Sequence, residues 1–427
     1  MIKRYINPAS SEWGALCERV VTDDAVIAAR VDAIIERVRR DGDKAVFELA
    51  NEIDGVELAA IEVSEEEKRE AFALVPQELK EAIAKAARNV TRFHMAQRFN
   101  DIEVVTSPGV KCVQRAVPIQ KMGLYVPGGT APLFSTVLML AIPAKVAGCK
   151  EIVLCTPVNK QGKVAPAVLS AAMVCGVDRI FKVGGAQAVA AMAYGTESIP
   201  AVDKIFGPGN RYVTKAKERV TNRVSIDMPA GPSEVLVMAD DTACPAFVAS
   251  DLLSQAEHGT DSQAILVCGS TAIADAVDAC VAEQLAKLPR KELAAKALEN
   301  SRTIVLSTVD EQVAFVNSYA PEHLIISMDN PWEVADKITA SGSVFIGNYS
   351  PESAGDYASG TNHTLPTSGW ARSCSGVNLD SFVRKITYQE LTKEGIDELG
   401  DTIVAMAKAE GLDAHAAAAL LRMGKEL

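Results

Sequence analysis

The chain has 427 residues, 48% of them hydrophobic and 23% charged, with a formal net charge of −12. That length exceeds what one hydrophobic core usually serves, so two or more domains are expected. The acidic balance argues against nucleic acid and anionic membranes as principal partners, while a local site for an anionic cofactor stays open.

The opening residues, MIKRYINPASSEWGAL, lack the apolar core of a secretion signal. Residues 11–95 repeat apolar positions at helical spacing, in AVIAARVDAIIERVRRDGDKAVFELANE, EEEKREAFALV and ELKEAIAKAARNVTRF. A helical N-terminal segment over 1–115, packed on something larger, is expected. From about residue 117 short strand-like runs alternate with helical ones: GLYVPGG, a helix near 134–147, EIVLCTP, a helix near 165–175, RIFKVGG, a helix near 186–194, and KIFGPGN. The longest apolar stretch, VLMLAIPAKVAG, is interrupted by Pro143 and Lys145 and is too short to cross a bilayer. Such alternation builds βαβ units on a parallel sheet, here over 116–230. SIDMPAGPSE at 225–234 is a Pro/Gly-rich junction. A second series follows over 231–386: EVLVMAD, a helix near 245–257, QAILVCG, helices near 271–298, RTIVLS, a helix near 310–318, HLIISM and SVFIG. From about 387 the pattern is helical again, giving a small C-terminal tail over 387–427. The fold class is therefore α/β, with two incomplete Rossmann-like parallel-sheet domains between a helical N-terminal segment and a helical tail.

Nine cysteines are present and none forms a C-x-x-C pair; most sit in apolar runs, as reduced thiols of a cytoplasmic protein would. Histidine is scarce: His94, His258, His323, His363 and His415. His94, inside TRFHMAQRF, reads as structural. Gln255 and His258 stand three apart in LLSQAEHG, on one face if a helix ends there; they could share a metal or simply form a polar helix end capped by Gly259. Asp356 and His363 lie in SPESAGDYASGTNH after a strand, where α/β folds build sites and where ordinary turns also occur. Glu322 and His323 form an acid–base pair in YAPEHLIIS, suited to a reaction with two proton transfers, or an exposed Glu beside a half-buried His. The turns GLYVPGG, FKVGGAQ and FGPGN could let backbone approach a phosphate, but none reads G-x-G-x-x-G.

Taken together, the blocks GLYVPGGTAPLFSTVLML, VGGAQAVAAMAYGTESIP, DKIFGPGNRYVTKAK, IDMPAGPSEVLV, ASDLLSQAEHG, APEHLI, SPESAGDYASGTNHTLPT and AEGLDAH closely resemble the histidinol dehydrogenase family from about residue 20 to 420. The resemblance implies an NAD-dependent, zinc-dependent, four-electron alcohol/aldehyde dehydrogenase. It would take L-histidinol to L-histidine through histidinaldehyde, using two NAD⁺, at the last step of histidine biosynthesis. By the same resemblance one zinc per subunit is held by Gln255, His258, Asp356 and His415, and Glu322 and His323 are the catalytic pair. Ser233, His363 and Glu410 join the zinc ligands and His323 around the substrate, and Tyr125, Gln187 and Asn210 contact NAD. A cytoplasmic homodimer is implied, in which the tail carrying Glu410 and His415 completes the site of the other subunit. Three alternatives compete with this expectation: a zinc hydrolase, a two-domain binding protein, and thiohemiacetal chemistry at Cys112, Cys149 or Cys374.

Overall fold

The computed structural model of the chain describes residues 2–19, 25–128, 132–228 and 231–426. Two parallel sheets and one small antiparallel sheet organise the chain. The first parallel sheet has five strands in the spatial order Arg179–Phe181, Glu151–Cys155, Lys121–Tyr125, Lys204–Phe206, Ser225–Ile226. In chain order that is 3-2-1-4-5. The direction of winding therefore reverses between Lys121–Tyr125 and Lys204–Phe206, and a crevice opens there at the carboxyl ends of the strands. Tyr125 and the turn around Gly207 stand on either side of that crevice.

The second parallel sheet repeats the plan in the order Arg302–Val305, Gln263–Cys268, Glu234–Ala239, His323–Ser327, Ser343–Ile346. A sixth strand, Lys3–Ile6, is added outside Arg302–Val305, in parallel and in register Lys3 to Arg302. Every residue of EVLVMA and of QAILVC is buried, because helices cover both faces of the sheet and no position of these strands meets water. Apolar clusters accordingly lie on the two faces of each parallel sheet, built around Leu124, Leu140 and Ile152 and around Phe181, Val189 and Ile205 in the first, and around Val235, Leu252 and Leu266 and around Leu236, Phe315 and Leu324 in the second.

The N-terminal helices Ala25–Leu49, Glu65–Leu74 and Gln77–Met95 pack on the helices of the first sheet. No helix among the described residues is long and apolar enough to cross a membrane. All nine cysteines are free thiols, four of them buried.

Three elements differ from expectation. The segment Lys3–Ile6 is a strand, not part of a helical lead-in. Residues 102–118, assigned with the helical segment, form the hairpin Ile102–Ser107 and Val110–Pro118. The helical tail begins at Lys393 instead of 387, since Val383–Leu391 is a strand that pairs antiparallel with Val110–Pro118. In each case the segment is held by pairing with a strand distant in sequence or across a hairpin, and much of it is exposed, so its own apolar pattern does not announce a strand. The tail helices Lys393–Ala409 and Asp413–Met423 pack on each other and reach the rest of the chain through this small sheet. Of the sequence blocks singled out above, Gly129 to Ala131 after GLYVPG and the Pro229–Ala230 step of the expected junction lie outside the described residues.

Candidate active site

The turn FGPGN follows strand Lys204–Phe206 and is held from both sides. Gly207 donates its N–H to Asp227 Oδ2 at 2.8 Å, and Lys217 Nζ donates to its carbonyl at 3.0 Å. Gly207 has φ +129, and a Cβ built there would lie 2.0 Å from the Tyr125 carbonyl oxygen, so glycine is required for the close approach of the two strand ends. Asn210 then caps helix Arg211–Arg219 by accepting from the N–H groups of Tyr212 and Val213. Across the crevice the Tyr125 hydroxyl accepts from Gly185 N–H at 3.2 Å, and burial pushes its pKa up to about 12. Tyr125, Gln187 and Asn210 together line a cavity of about 950 Å³, which runs on to Glu257, His258 and Tyr357. The three residues expected to contact the cofactor thus share one cavity, and that cavity ends at the expected metal site.

Next to His258 and Asp356 lie the amino ends of two strands of the second sheet. Glu234 is the first residue of one central strand and His323 the first of its neighbour, with His323 opposite Val235 in the ladder. Residues along a strand turn their backbone groups alternately to either side. Ser233 accepts from Gln263 N–H on one side, so Glu234 faces the other, where the neighbouring strand has not yet begun. Side chains fill the gap: Glu234 N–H donates to Glu322 Oε2 at 2.9 Å, and His323 Nδ1 donates to the Glu234 carbonyl at 3.1 Å.

That bond leaves His323 Nε2 as the unprotonated nitrogen, buried and without a hydrogen-bond partner. Burial lowers the His323 pKa to about 3, so the ring is neutral at physiological pH. Glu322 lies 3.7 Å away, and burial, reinforced by the charge of Glu234, holds its carboxyl well above the ordinary range.

Helix Glu352–Tyr357 occupies what was expected to be a loop. It packs on helix Pro245–Ala256, which ends just before His258. Its first residue, Glu352, and Asp356 are four apart and share a face. His258, Glu352 and Asp356 offer three ligand atoms all within 4.8 Å of one another. Asp356 Oδ1 is 3.8 Å from His323 Nε2, and Glu352 Oε1 is 3.5 Å from His323 Nδ1. Burial raises Asp356 to about 7 and Glu352 well above its ordinary range. His258 is lowered by the protein packed around it even though its ring is open to solvent through the cavity. Gln255 is fully buried, and neither its amide oxygen nor its amide nitrogen has a partner.

This donor set fits a divalent cation. No lysine or arginine pairs with Glu352 or Asp356 among the described residues, and buried carboxylates without a counter-charge are costly. An unpaired amide and an imidazole beside them complete a nitrogen and oxygen set that zinc accepts. Glu352 is the residue of this cluster that sequence reasoning missed; its spacing of four from Asp356 was the available signal. His363 reaches the same region, donating or accepting at Thr136 Oγ1 (3.2 Å) and bonding to the Asp356 carbonyl at 2.9 Å. Ser233 is half-buried immediately before Glu234. Glu410 and His415 are exposed on the tail and are not part of the cluster within one chain. His94 is buried, with Nδ1 bonded to the Val90 carbonyl at 2.8 Å, far from any of this.

Comparison with known proteins agrees with the architecture. The family model for histidinol dehydrogenase matches residues 17–423. Histidinol dehydrogenase of Bacteroides thetaiotaomicron is 56% identical over 424 residues, covering 99% of both chains. That of Vibrio vulnificus is 50% identical over 421 residues, covering 98% of this chain and 97% of the other. The crystal structure of histidinol dehydrogenase from Elizabethkingia anophelis superposes with a TM-score of 0.97 at 52% identity, covering 99% of this chain and 98% of that one. With its doubly wound sheets, its buried acid–base pair and these matches along nearly its whole length, the chain is an enzyme and belongs to the histidinol dehydrogenase family.

Proposed function

We propose that this chain oxidises L-histidinol to L-histidine through histidinaldehyde, reducing two NAD⁺, as the last step of histidine biosynthesis in the cytoplasm. The observation that carries the reading is His323: a neutral imidazole tied through Nδ1 to a backbone carbonyl, with Nε2 free and 3.8 Å from Asp356, beside Glu322. Tyr125, Gln187 and Asn210 hold NAD⁺ in the crevice of the first sheet. Gln255, His258 and Asp356 of one subunit, with His415 of a tail, hold one zinc. When bound, zinc supplies Lewis-acid charge and two-point orientation of the amino and imidazole groups of the substrate.

The residues then divide the proton work. An alcohol is far too weak an acid to ionise at neutral pH, so proton loss must accompany hydride loss. His323 Nε2 takes the hydroxyl proton as the carbon gives up hydride to NAD⁺, which leaves the aldehyde. Glu322 takes a proton from water as it adds to the aldehyde. A carboxylate whose pKa is raised is the better base for this. Protonated His323 returns its proton to the carbonyl oxygen as the hydrate forms, and so is free to accept a hydroxyl proton again when the hydrate loses the second hydride. Ser233, His363 and Glu410 contact the substrate and keep the aldehyde in place between the two oxidations.

The exposed, weakly tethered tail supports a homodimer in which Glu410 and His415 serve the other subunit. Mixing a His415→Ala variant with a His323→Ala variant is then expected to restore activity through the one intact shared site. No recovery in proven heterodimers refutes the lent tail. For the reaction itself, two NADH per histidinol consumed are expected, lost on chelation and regained with zinc. One NADH per histidinol, or full turnover in the metal-free protein, overturns the reading.

A further inference from the structure

We infer that the ion pair between Arg19 and Glu234 is a positioning device for the Glu322–His323 pair, reaching it from outside the cavity. The inference rests on the proton-acceptor reading of that pair given above.

Glu234 is the common anchor of both residues. Its N–H holds the Glu322 carboxylate and its carbonyl holds the His323 ring, at 2.9 and 3.1 Å. What fixes Glu234 itself is its side chain, which is 1% exposed. The carboxylate receives a two-point contact from Arg19, Nε to Oε1 at 3.0 Å and Nη2 to Oε2 at 2.9 Å, and a third bond from Ser368 N–H at 2.7 Å. A forked guanidinium–carboxylate contact sets direction as well as distance.

Arg19 also grips the other side of the pair. Its Nη2 donates to the Tyr319 carbonyl at 2.8 Å, and its guanidinium lies 3.6 Å over the Tyr319 ring. Tyr319 is the last residue of helix Val309–Tyr319, three positions before Glu322. Ala320, next in the chain, adopts φ +54, which makes the turn into Pro321 and Glu322 abrupt. One side chain therefore clamps the strand that anchors the pair and the helix end that delivers it. Arg19 is in turn held by the Cys17 carbonyl at 2.8 Å, and Arg302 fastens the carbonyls of Leu16 and Glu18. The Glu234 carboxylate is taken up by Arg19 and by Ser368 N–H, and neither Arg19 nor Glu234 belongs to the cluster of His258, Glu352 and Asp356.

The test uses the zinc-loaded enzyme carrying Arg19→Lys, Glu234→Gln, or Arg19→Met with Glu234→Gln. The double variant removes both charges and serves if a single change leaves a buried charge that unfolds the protein. Three quantities are read: kcat against KM for histidinol and NAD⁺, zinc content, and the ¹⁵N signals of the His323 ring in histidine-labelled protein. With five histidines in the chain, His323→Asn assigns the signal by subtraction. Loss of an outer-shell partner typically lowers activity about 10–100-fold, and kcat is expected to fall within that range. Zinc content and both KM values should stay within about two-fold. The His323 ring should pass from one fixed Nδ1–H tautomer to an averaged pair. Folded variants with kcat within about two-fold of the parent and an unchanged tautomer overturn the inference. Glu322→Gln and His323→Asn are run alongside: if these keep full activity the proton-acceptor reading fails, while the tautomer signal still decides whether Arg19 and Glu234 hold the ring.

Discussion

The pair Lys217 and Asp227, which pins the turn beside the crevice of the first sheet, gives a sharp stability test. Their side chains are 5% and 1% exposed, so each charge is out of water and depends on the other. Asp227 has two further donors, Gly207 N–H and Met228 N–H, both at 2.8 Å, whereas Lys217 has only the Gly207 carbonyl at 3.0 Å. Replacing Lys217 by Met leaves a buried carboxylate with two backbone bonds and no ion-pair partner in direct contact, only the more distant Lys204, a change that typically costs about 3–5 kcal/mol. Asp227→Asn leaves a buried ammonium with neutral acceptors only and no counter-charge, and falls in the same range. The double variant carries no buried charge; it loses the bonds around Gly207, about 1–2 kcal/mol in all. The double-mutant cycle should therefore show a favourable coupling above about 2 kcal/mol, with the double variant more stable than either single one. Urea unfolding followed by circular dichroism measures this, at one fixed protein concentration so that any association contributes equally. Because the turn carries Asn210, the single variants should also show a raised KM for NAD⁺. A double variant destabilised by the sum of the two singles, within about 0.5 kcal/mol, refutes the claim that the charges are mutually dependent.

Glu322→Gln should slow oxidation of supplied histidinaldehyde by about 10²–10⁴-fold, the usual worth of a positioned base, and slow the alcohol step much less. Equal effects on the two half-reactions, in stopped-flow NADH traces, would remove its water-activating role. Cys149→Ser should leave both steps unchanged: burial pushes the thiol up to about 11 and it faces the Phe382 carbonyl, so no thiolate forms at neutral pH. A large loss of aldehyde oxidation in that variant would revive a thiohemiacetal route. His94 is buried with Nε2 unpartnered, and desolvation lowers its pKa. The unfolded chain therefore binds a proton there that the folded one refuses. The stability it contributes is complete above the ordinary histidine pKa and falls as pH drops below it, by up to about 1.4 kcal/mol per unit. His94→Leu should flatten that limb of the stability–pH curve by one proton; an unchanged slope would show that His94 titrates normally.

The two parallel sheets were legible because their strands are buried on both faces and read as unbroken apolar runs between helical ones, as in EVLVMA and QAILVC. The strands at 3–6, 102–118 and 383–391 were not. KRYI is short and its ends are exposed, and its pairing with Arg302–Val305 joins residues about three hundred positions apart. ITYQEL is exposed at every residue but its first, a weak signal beside the strongly helical run that follows. The residues expected to bind cofactor, and Glu322 with His323, were legible through extended motifs, and the fold gathers each group. Glu352 lay in a segment read as a loop, so its helical spacing from Asp356 went unused. Glu234 and Arg19 could not be read at all, because Glu234 serves the pair through its backbone and its partner is 215 positions away in the chain.

The short strand Lys3–Ile6 closes an otherwise open side of the larger sheet. Without it, the N–H and C=O groups of Arg302–Val305 would stand unpaired beside apolar side chains, the kind of border on which extended segments of other molecules add and grow into fibrils.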